Sequence, residues 1–197
     1  MKFRQTWTAV RALLILTLVV GIGYPLVITG IGQLAFSTNA NGQLVKVDGE
    51  VVGSAIIGQS FTDKDGNALP EWFQSRPSAA GDGYDGAASS GSNYGPENED
   101  LITAIKDRQA AIEDLDGVSK EDIPADAVTA SASGLDPHIS AEYARLQVAR
   151  VAEARGLDEQ EVGDLVESMI QGRDLGYLGE PTVNVLALNI ALAELDR

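Results

Sequence analysis

Hydrophobic and polar positions divide the chain sharply. Residues 12–36, ALLILTLVVGIGYPLVITGIGQLAF, form an uncharged run of twenty-five, and the rest of the chain alternates short apolar stretches with acidic or Gly-rich turns. A hydrocarbon core of about 30 Å takes about 20 apolar residues at 1.5 Å each, so the run is long enough to span a membrane with some tilt. Gly21, Gly23, Gly30, Gly32 and Pro25 would weaken a helix in water. In a span they are tolerated, and they predict a bent helix that packs closely on its partners. A cleaved signal peptide would have an apolar region of about 7–15 residues and an A-x-A-like site. The run here is longer, and Thr38-Asn39-Ala40 is a poor cleavage site. A buried soluble helix rarely runs this long without a charge.

Beyond the span the periodicity shortens. Residues 44–47 and 50–57 flank Asp48-Gly49, which predicts two strands joined by a tight hairpin turn. Residues 62–67 read as a solvated turn, because with Asp63 as the first position Gly66 is fourth rather than sixth and the calcium-loop spacing fails. Residues 72–77 read as a short extended segment ending at Pro77. Residues 78–95 are mostly Gly, Ser, Ala, Asp and Asn, the composition of a flexible loop. A helix is expected to open at Pro96 and bury Leu101, Ile105, Ile112 and Leu115 before Gly117 ends it. An acidic connector follows at 119–126, then an extended stretch at 127–131. Ser140 predicts the cap of a helix over 141–155 closed by Gly156. Asp158 with Glu161 resembles a capping box for an amphipathic helix bearing Val162, Leu165, Val166, Met169 and Ile170. Residues 184–195 repeat that pattern. Short strands with several helices predict an α+β chain: one N-terminal transmembrane helix followed by a single extracytoplasmic, α/β sandwich-like domain.

Charge orients this arrangement. Lys2, Arg4 and Arg11 precede the span with no acid beside them, and the next charge is Lys46. The positive-inside rule then makes 1–11 a cytoplasmic tail, 12–36 the transmembrane helix and 37–197 an extracytoplasmic soluble domain. Three of the 14 basic residues lie before the span, leaving 11 against 29 acidic ones outside. Such an acidic surface disfavours nucleic acid and anionic lipid as partners of the soluble part, and it attracts cations weakly. The absence of cysteine excludes a thiol nucleophile, a Cys-ligated metal and disulfides, and the single His138 excludes a multi-His metal site within one chain. No phosphate-binding loop, nucleophile elbow or H-E-x-x-H motif occurs. Asp136 and His138 are expected to bond local backbone and brace the following helix.

Several stretches carry a family resemblance. They are Gly58-Gln59-Ser60-Phe61, Phe73-Gln74-Ser75-Arg76-Pro77-Ser78, Ser92-Asn93-Tyr94-Gly95-Pro96, the Ser-Gly-Leu-Asp-Pro-His-Ile-Ser core of 129–140, Gln147-Val148-Ala149-Arg150-Val151, Arg155-Gly156-Leu157, and the run from Gly176 to Leu186. In these, and in their order, the chain resembles the C subunit of the Kdp potassium-transporting ATPase. Ser90 and Ala132 stand where that family suggests glycine, and Ala187 where it suggests a larger polar residue. The resemblance implies an accessory, non-catalytic subunit of an ATP-driven high-affinity potassium import complex. Its implied partners are a channel-like potassium-binding subunit, a P-type ATPase subunit and a small single-span subunit. It implies no intrinsic cofactor; potassium is handled by the complex. It also implies a catalytic-chaperone role that raises the ATPase subunit's affinity for ATP, with Gln147 the residue associated with nucleotide. The charge pattern puts Gln147 on the side of the membrane opposite to cytoplasmic ATP. Arg76, Asn93, Asp136, His138 and Asn184 are expected to organise loops, and Gly23, Pro25 and Gly30 to form helix contacts. The alternative reading is a membrane-anchored extracytoplasmic enzyme or ligand-binding protein acting alone.

Overall fold

The computed structural model describes the backbone of residues 2–195 and the side chains of residues 3–195. Met1 and the Lys2 side chain, in the expected tail, and Asp196 and Arg197, at the end of the expected soluble domain, lie outside the described residues. The chain divides into two compact units, residues 1–45 and 46–197.

The first unit is one long helix, Phe3–Ala35, long and apolar enough to cross a membrane. It is built from α1 (Lys2–Leu16), a π-helical stretch (Thr17–Gly23) and α2 (Tyr24–Ala35). The helix therefore begins well before the expected span, since residues 2–11 contain neither Gly nor Pro to stop it. Pro25 explains the π-helical stretch. It has no N–H to donate, and its ring crowds the carbonyl four residues back, that of Gly21. Widening the preceding turn relieves the crowding, and Tyr24 N accordingly donates to Val19 O, five residues back. After Phe36 a short turn, α3 (Ser37–Ala40), closes with the Asn41 amide donating to Ser37 O and Gln33 Oε1.

The second unit is α+β. Its strands form two two-stranded sheets, and helices supply most of its core. β1 (Leu44–Val47) and β2 (Glu50–Ser54) make the expected hairpin, with Asp48 and Gly49 at φ of 51° and 88° in the primed turn. The second strand ends at Ser54, where Ser54 Oγ accepts from Ile56 N and bends the chain. The turn at 62–67 is held by Asp63, whose Oδ1 accepts from the backbone of Asp65 and Asn67.

α4 (Glu99–Asp116) starts three residues later than expected. Asn98 caps it, its Oδ1 accepting from Asp100 N at 2.7 Å, a better satisfied end than Pro96 offers. The stretch expected to be extended at 127–131 begins instead with a helical turn, α5 (Ala125–Val128), entered behind Pro124 and tied by Thr129 Oγ1 donating to Ala125 O. β3 (His138–Ser140) then pairs antiparallel with β4 (Thr182–Asn184), matching His138 to Asn184, Ile139 to Val183 and Ser140 to Thr182. Neither strand shows in the periodicity, because three residues are too few for an alternation.

The helix expected over 141–155 is divided at Gln147 into α6 (Ala141–Leu146) and α7 (Val148–Arg155). α8 (Glu159–Met169) carries the expected Asp158 cap. α9 (Val185–Leu195) is apolar on most sides rather than amphipathic, as befits a helix with Leu186, Leu188 and Leu192 buried. The core joins Phe73, Ile139, Tyr143, Val151, Val166 and Leu188.

Candidate functional site

The extended segment at 72–77 has no strand neighbours, yet the backbone N–H and C=O groups of Phe73 and Gln74 are all bonded. Two side-chain amides replace the missing ladder. Asn189, on α9, accepts from Phe73 N at 2.9 Å and donates to Phe73 O at 3.0 Å. Gln147 does the same for the next residue, accepting from Gln74 N at 2.6 Å and donating to Gln74 O at 3.2 Å. A primary amide offers a C=O and an N–H₂ side by side, so it pairs with a peptide unit as a strand would. The interruption between α6 and α7 follows from this. Gln147 Nε2 also donates to Tyr143 O at 3.3 Å, a carbonyl that a continuous helix would bond through the residue-147 N–H.

Gln147 is fully buried, and its Oε1 also accepts from Arg150 Nη2 at 2.6 Å. Arg150 is itself fully engaged: Nη1 donates to Pro70 O and Trp72 O, and Nε to Asp116 Oδ1 at 2.7 Å. The Arg150–Asp116 side chains are only 5% and 1% exposed. Burial raises the Asp116 carboxyl above its usual range, partly countered by the charge and hydrogen bond of Arg150. Nearby, the Arg155 guanidinium lies 4.2 Å from the Trp72 ring centroid. In this arrangement every polar atom of Gln147 is committed within the protein, so the residue associated with nucleotide offers no free group to a ligand.

A second cluster joins three of the residues expected to organise loops. Arg76 Nη1 donates to Asp136 Oδ2 at 3.0 Å, while Asp136 Oδ1 accepts from His138 N at 3.0 Å and faces His138 Nδ1 at 3.6 Å. Partial burial pushes the Asp136 carboxyl up, but the hydrogen bonds from His138 and the Arg76 charge outweigh it and hold the group below the usual carboxylate range. Tyr84 donates its hydroxyl to Arg76 O at 2.7 Å, and burial raises that hydroxyl's pKa to about 12. Gly58 is forced at this point, since a Cβ there would fall 2.5 Å from both Asp136 O and Tyr84 Cε1. Arg76 Nε is buried without a hydrogen-bond partner. The cluster borders a groove of about 680 Å³ that Ser75, Arg76, Tyr84, Arg108 and Tyr143 help to line.

Asn184 stands opposite His138 in the β3–β4 pair; its side chain donates to Ala55 O at 2.9 Å and caps α9 by accepting from Ala187 N at 3.0 Å. Asn93 is not drawn into these clusters. It sits in the Gly-rich loop at φ 52°, exposed, donating to Gly91 O. In the apolar helix, a Cβ on Gly23 would meet Leu18 O at 3.4 Å, whereas one on Gly30 would meet nothing within 4 Å. Among the described residues no group of three or more His, Asp or Glu could hold a metal ion. Sequence reasoning missed Gln74 and Asn189. An isolated Asn in an apolar helix signals a buried amide, but its partner 116 residues away is not readable from the pattern.

A family model described as KdpC: K+-transporting ATPase, c chain, matches residues 6–194. The potassium-transporting ATPase KdpC subunit of Kineococcus radiotolerans is 54% identical over 189 residues, covering 96% of this chain and 93% of the relative. The protein of the same name from Mycobacterium tuberculosis is 50% identical over 193 residues, covering 98% and 99%. That of Caulobacter vibrioides is 54% identical over 178 residues, covering 89% and 86%. The residues of both clusters fall within the matched region, and the chain belongs to the KdpC family, the c chain of K+-transporting ATPases.

Proposed function

We propose that the chain is a non-catalytic accessory subunit of a potassium-transporting ATPase complex, bound in the membrane by one helix and needed for assembly. The observation that carries this reading is the family match over nearly the whole chain. The polar clusters support it: Arg76, Asp136, His138 and Asn184 hold loops and a helix start together through bonds within the domain. The partners are a channel-like potassium-binding subunit, a P-type ATPase subunit and a small single-span subunit. Residues 1–11 lie in the cytoplasm, 12–36 in the membrane and 37–197 outside, on the strength of Lys2, Arg4 and Arg11.

The catalytic-chaperone role belongs to the same proposal. A nucleotide contact through Gln147 requires that side chain to leave Gln74 and Arg150, so its effect on ATP affinity is better carried by the domain that it holds together. Purification in mild detergent through a tag on this chain tests the central claim. Co-purification of the other subunits with potassium-stimulated ATPase activity is expected; a lone species would favour an anchored enzyme or ligand-binding protein acting by itself. Protease treatment of sealed inverted vesicles tests the topology, and digestion of the soluble domain from the cytoplasmic side would overturn it. Gly30→Leu tests the contact role of the span. With open space at that position, it should loosen assembly while insertion stays intact.

A further inference from the structure

The run from Gly176 to Leu186, one of the stretches that carry the family resemblance, is split by the structure into two unlike halves. Val183, Val185 and Leu186 are buried in the core, which accounts for them. Gly176 to Pro181 instead belong to an excursion that begins before the run, in which every residue from 171 to 181 is exposed. It is a small hairpin, closed at its base by Gln171 and Thr182 exchanging backbone hydrogen bonds at 2.8 and 3.0 Å, and again by Asp174 and Leu178. Arg173 pairs with Glu180 across it. Its tip presents Leu175, Tyr177 and Leu178 at 81%, 69% and 49% exposure.

Two features separate this tip from an ordinary solvated turn. Apolar side chains at such exposure gain nothing for the fold, and clustered ones mark interaction sites. Leu175 also has φ of 53°, a left-handed conformation that is strained for a residue with a branched side chain and that Gly or Asn adopts more readily. The fold therefore holds a strained, preorganised apolar knob and receives no packing in return.

We propose that the 171–182 hairpin is a docking knob that inserts Leu175 and Tyr177 into an apolar pocket, with a neutral or basic rim, on another subunit of the transport complex. This rests on the assembly reading above. Charge selects the occupant. The hairpin's one cation is paired with Glu180 and Asp174 leaves it slightly acidic, on a chain of net charge −15. A second copy of this chain and an anionic bilayer are both repelled, and a fixed left-handed turn suits a shaped protein pocket better than fluid lipid.

The test uses the complex purified in mild detergent through a tag on this chain, with Leu175→Asn and Tyr177→Ser introduced singly. Asn is at ease in the left-handed region, so Leu175→Asn keeps the turn and removes the knob. Each variant should release the other subunits at least about tenfold faster than the parent, while the melting temperature of the full chain in detergent is unchanged or raised. A photoreactive side chain at position 175 should give an adduct with another subunit. Parental retention of the partners by both variants, no adduct, or an adduct to lipid or to a second copy of the chain would each overturn the proposal. Failure of the unaltered chain to retain any subunit would overturn the assembly reading and this proposal together.

Discussion

Replacing Gln147 by leucine isolates the device that holds the centre of the domain. The side chain is fully buried and makes four hydrogen bonds: with Gln74 N, Gln74 O, Tyr143 O and Arg150 Nη2. Leucine has nearly the same volume, so cavity formation contributes little and the loss is polar. The two Gln74 backbone groups lie too deep for easy hydration, and each unsatisfied group costs about 1–3 kcal/mol. The lost bond to the Arg150 cation adds about 1.5–3 kcal/mol, while burying leucine's methyl groups returns about 1–2 kcal/mol. A net destabilisation of about 4 kcal/mol is expected, a large part of the 5–15 kcal/mol typical of a domain. For a chain of this size it corresponds to a fall in melting temperature of about 8–16 °C. Thermal unfolding of the full chain in mild detergent, followed by Trp72 fluorescence in a Trp7→Phe background, measures it. Gln147→Glu is the companion: it keeps the acceptor facing Gln74 N and Arg150 but loses the donors, and should fall between the parent and Gln147→Leu. A drop below about 3 °C for Gln147→Leu would refute the claim that this amide substitutes for a strand partner. If ATP stimulation of the complex were lost without such a drop, Gln147 would act on nucleotide rather than on the fold.

Gly58→Ala would force a methyl group to 2.5 Å from Asp136 O and Tyr84 Cε1, and should destabilise the chain by about 1–3 kcal/mol in the same melting assay. Arg150→Met strands the buried Asp116 charge and should cost about 3–5 kcal/mol; adding Asp116→Leu should recover much of it, since a buried pair can be exchanged for apolar packing. Asp136 has its folded pKa lowered, so its contribution is fully present above the unfolded value of about 3.9 and is lost as pH falls through the folded value. Asp116, with its pKa raised, works the other way, its ionised form being disfavoured by burial. Melting temperatures between about pH 5 and pH 2 should therefore fall less steeply for Asp136→Asn than for the parent, and equal slopes would remove Asp136 from the acid response.

The Asp48-Gly49 hairpin and the Asp158 cap were legible because each is settled by residues within one or two turns of one another, and the long apolar helix because its uncharged run is unbroken. The helix start moved from Pro96 to Glu99 because the Asn98 side chain, which satisfies two orphan N–H groups, outweighs a ring that merely tolerates the first turn. The extended reading of 127–131 missed α5, whose Asp126 reaches forward to accept from Ser140 N and Oγ. Of the residues singled out for a site, Arg76, Asp136 and His138 do converge, and Asn184 stands beside them. Asn93 stays in its own loop, and Gln147 belongs to a separate network.

Local physics is thus enough to read an uncharged stretch too long for a soluble core helix and the cap and turn residues that punctuate the chain beyond it, while the KdpC-family motifs were legible by resemblance alone. The choice of partners is not local. Gln147 meets Gln74 across 73 positions and Asn189 meets Phe73 across 116, and no periodicity encodes which amide will lie against which peptide unit. The same limit hides the tip of the 171–182 hairpin. Leucine and tyrosine there look like core residues in the sequence, and are left in solvent because the antiparallel pairing at Gln171 and Thr182 sends the chain outward before Val183 returns to the core.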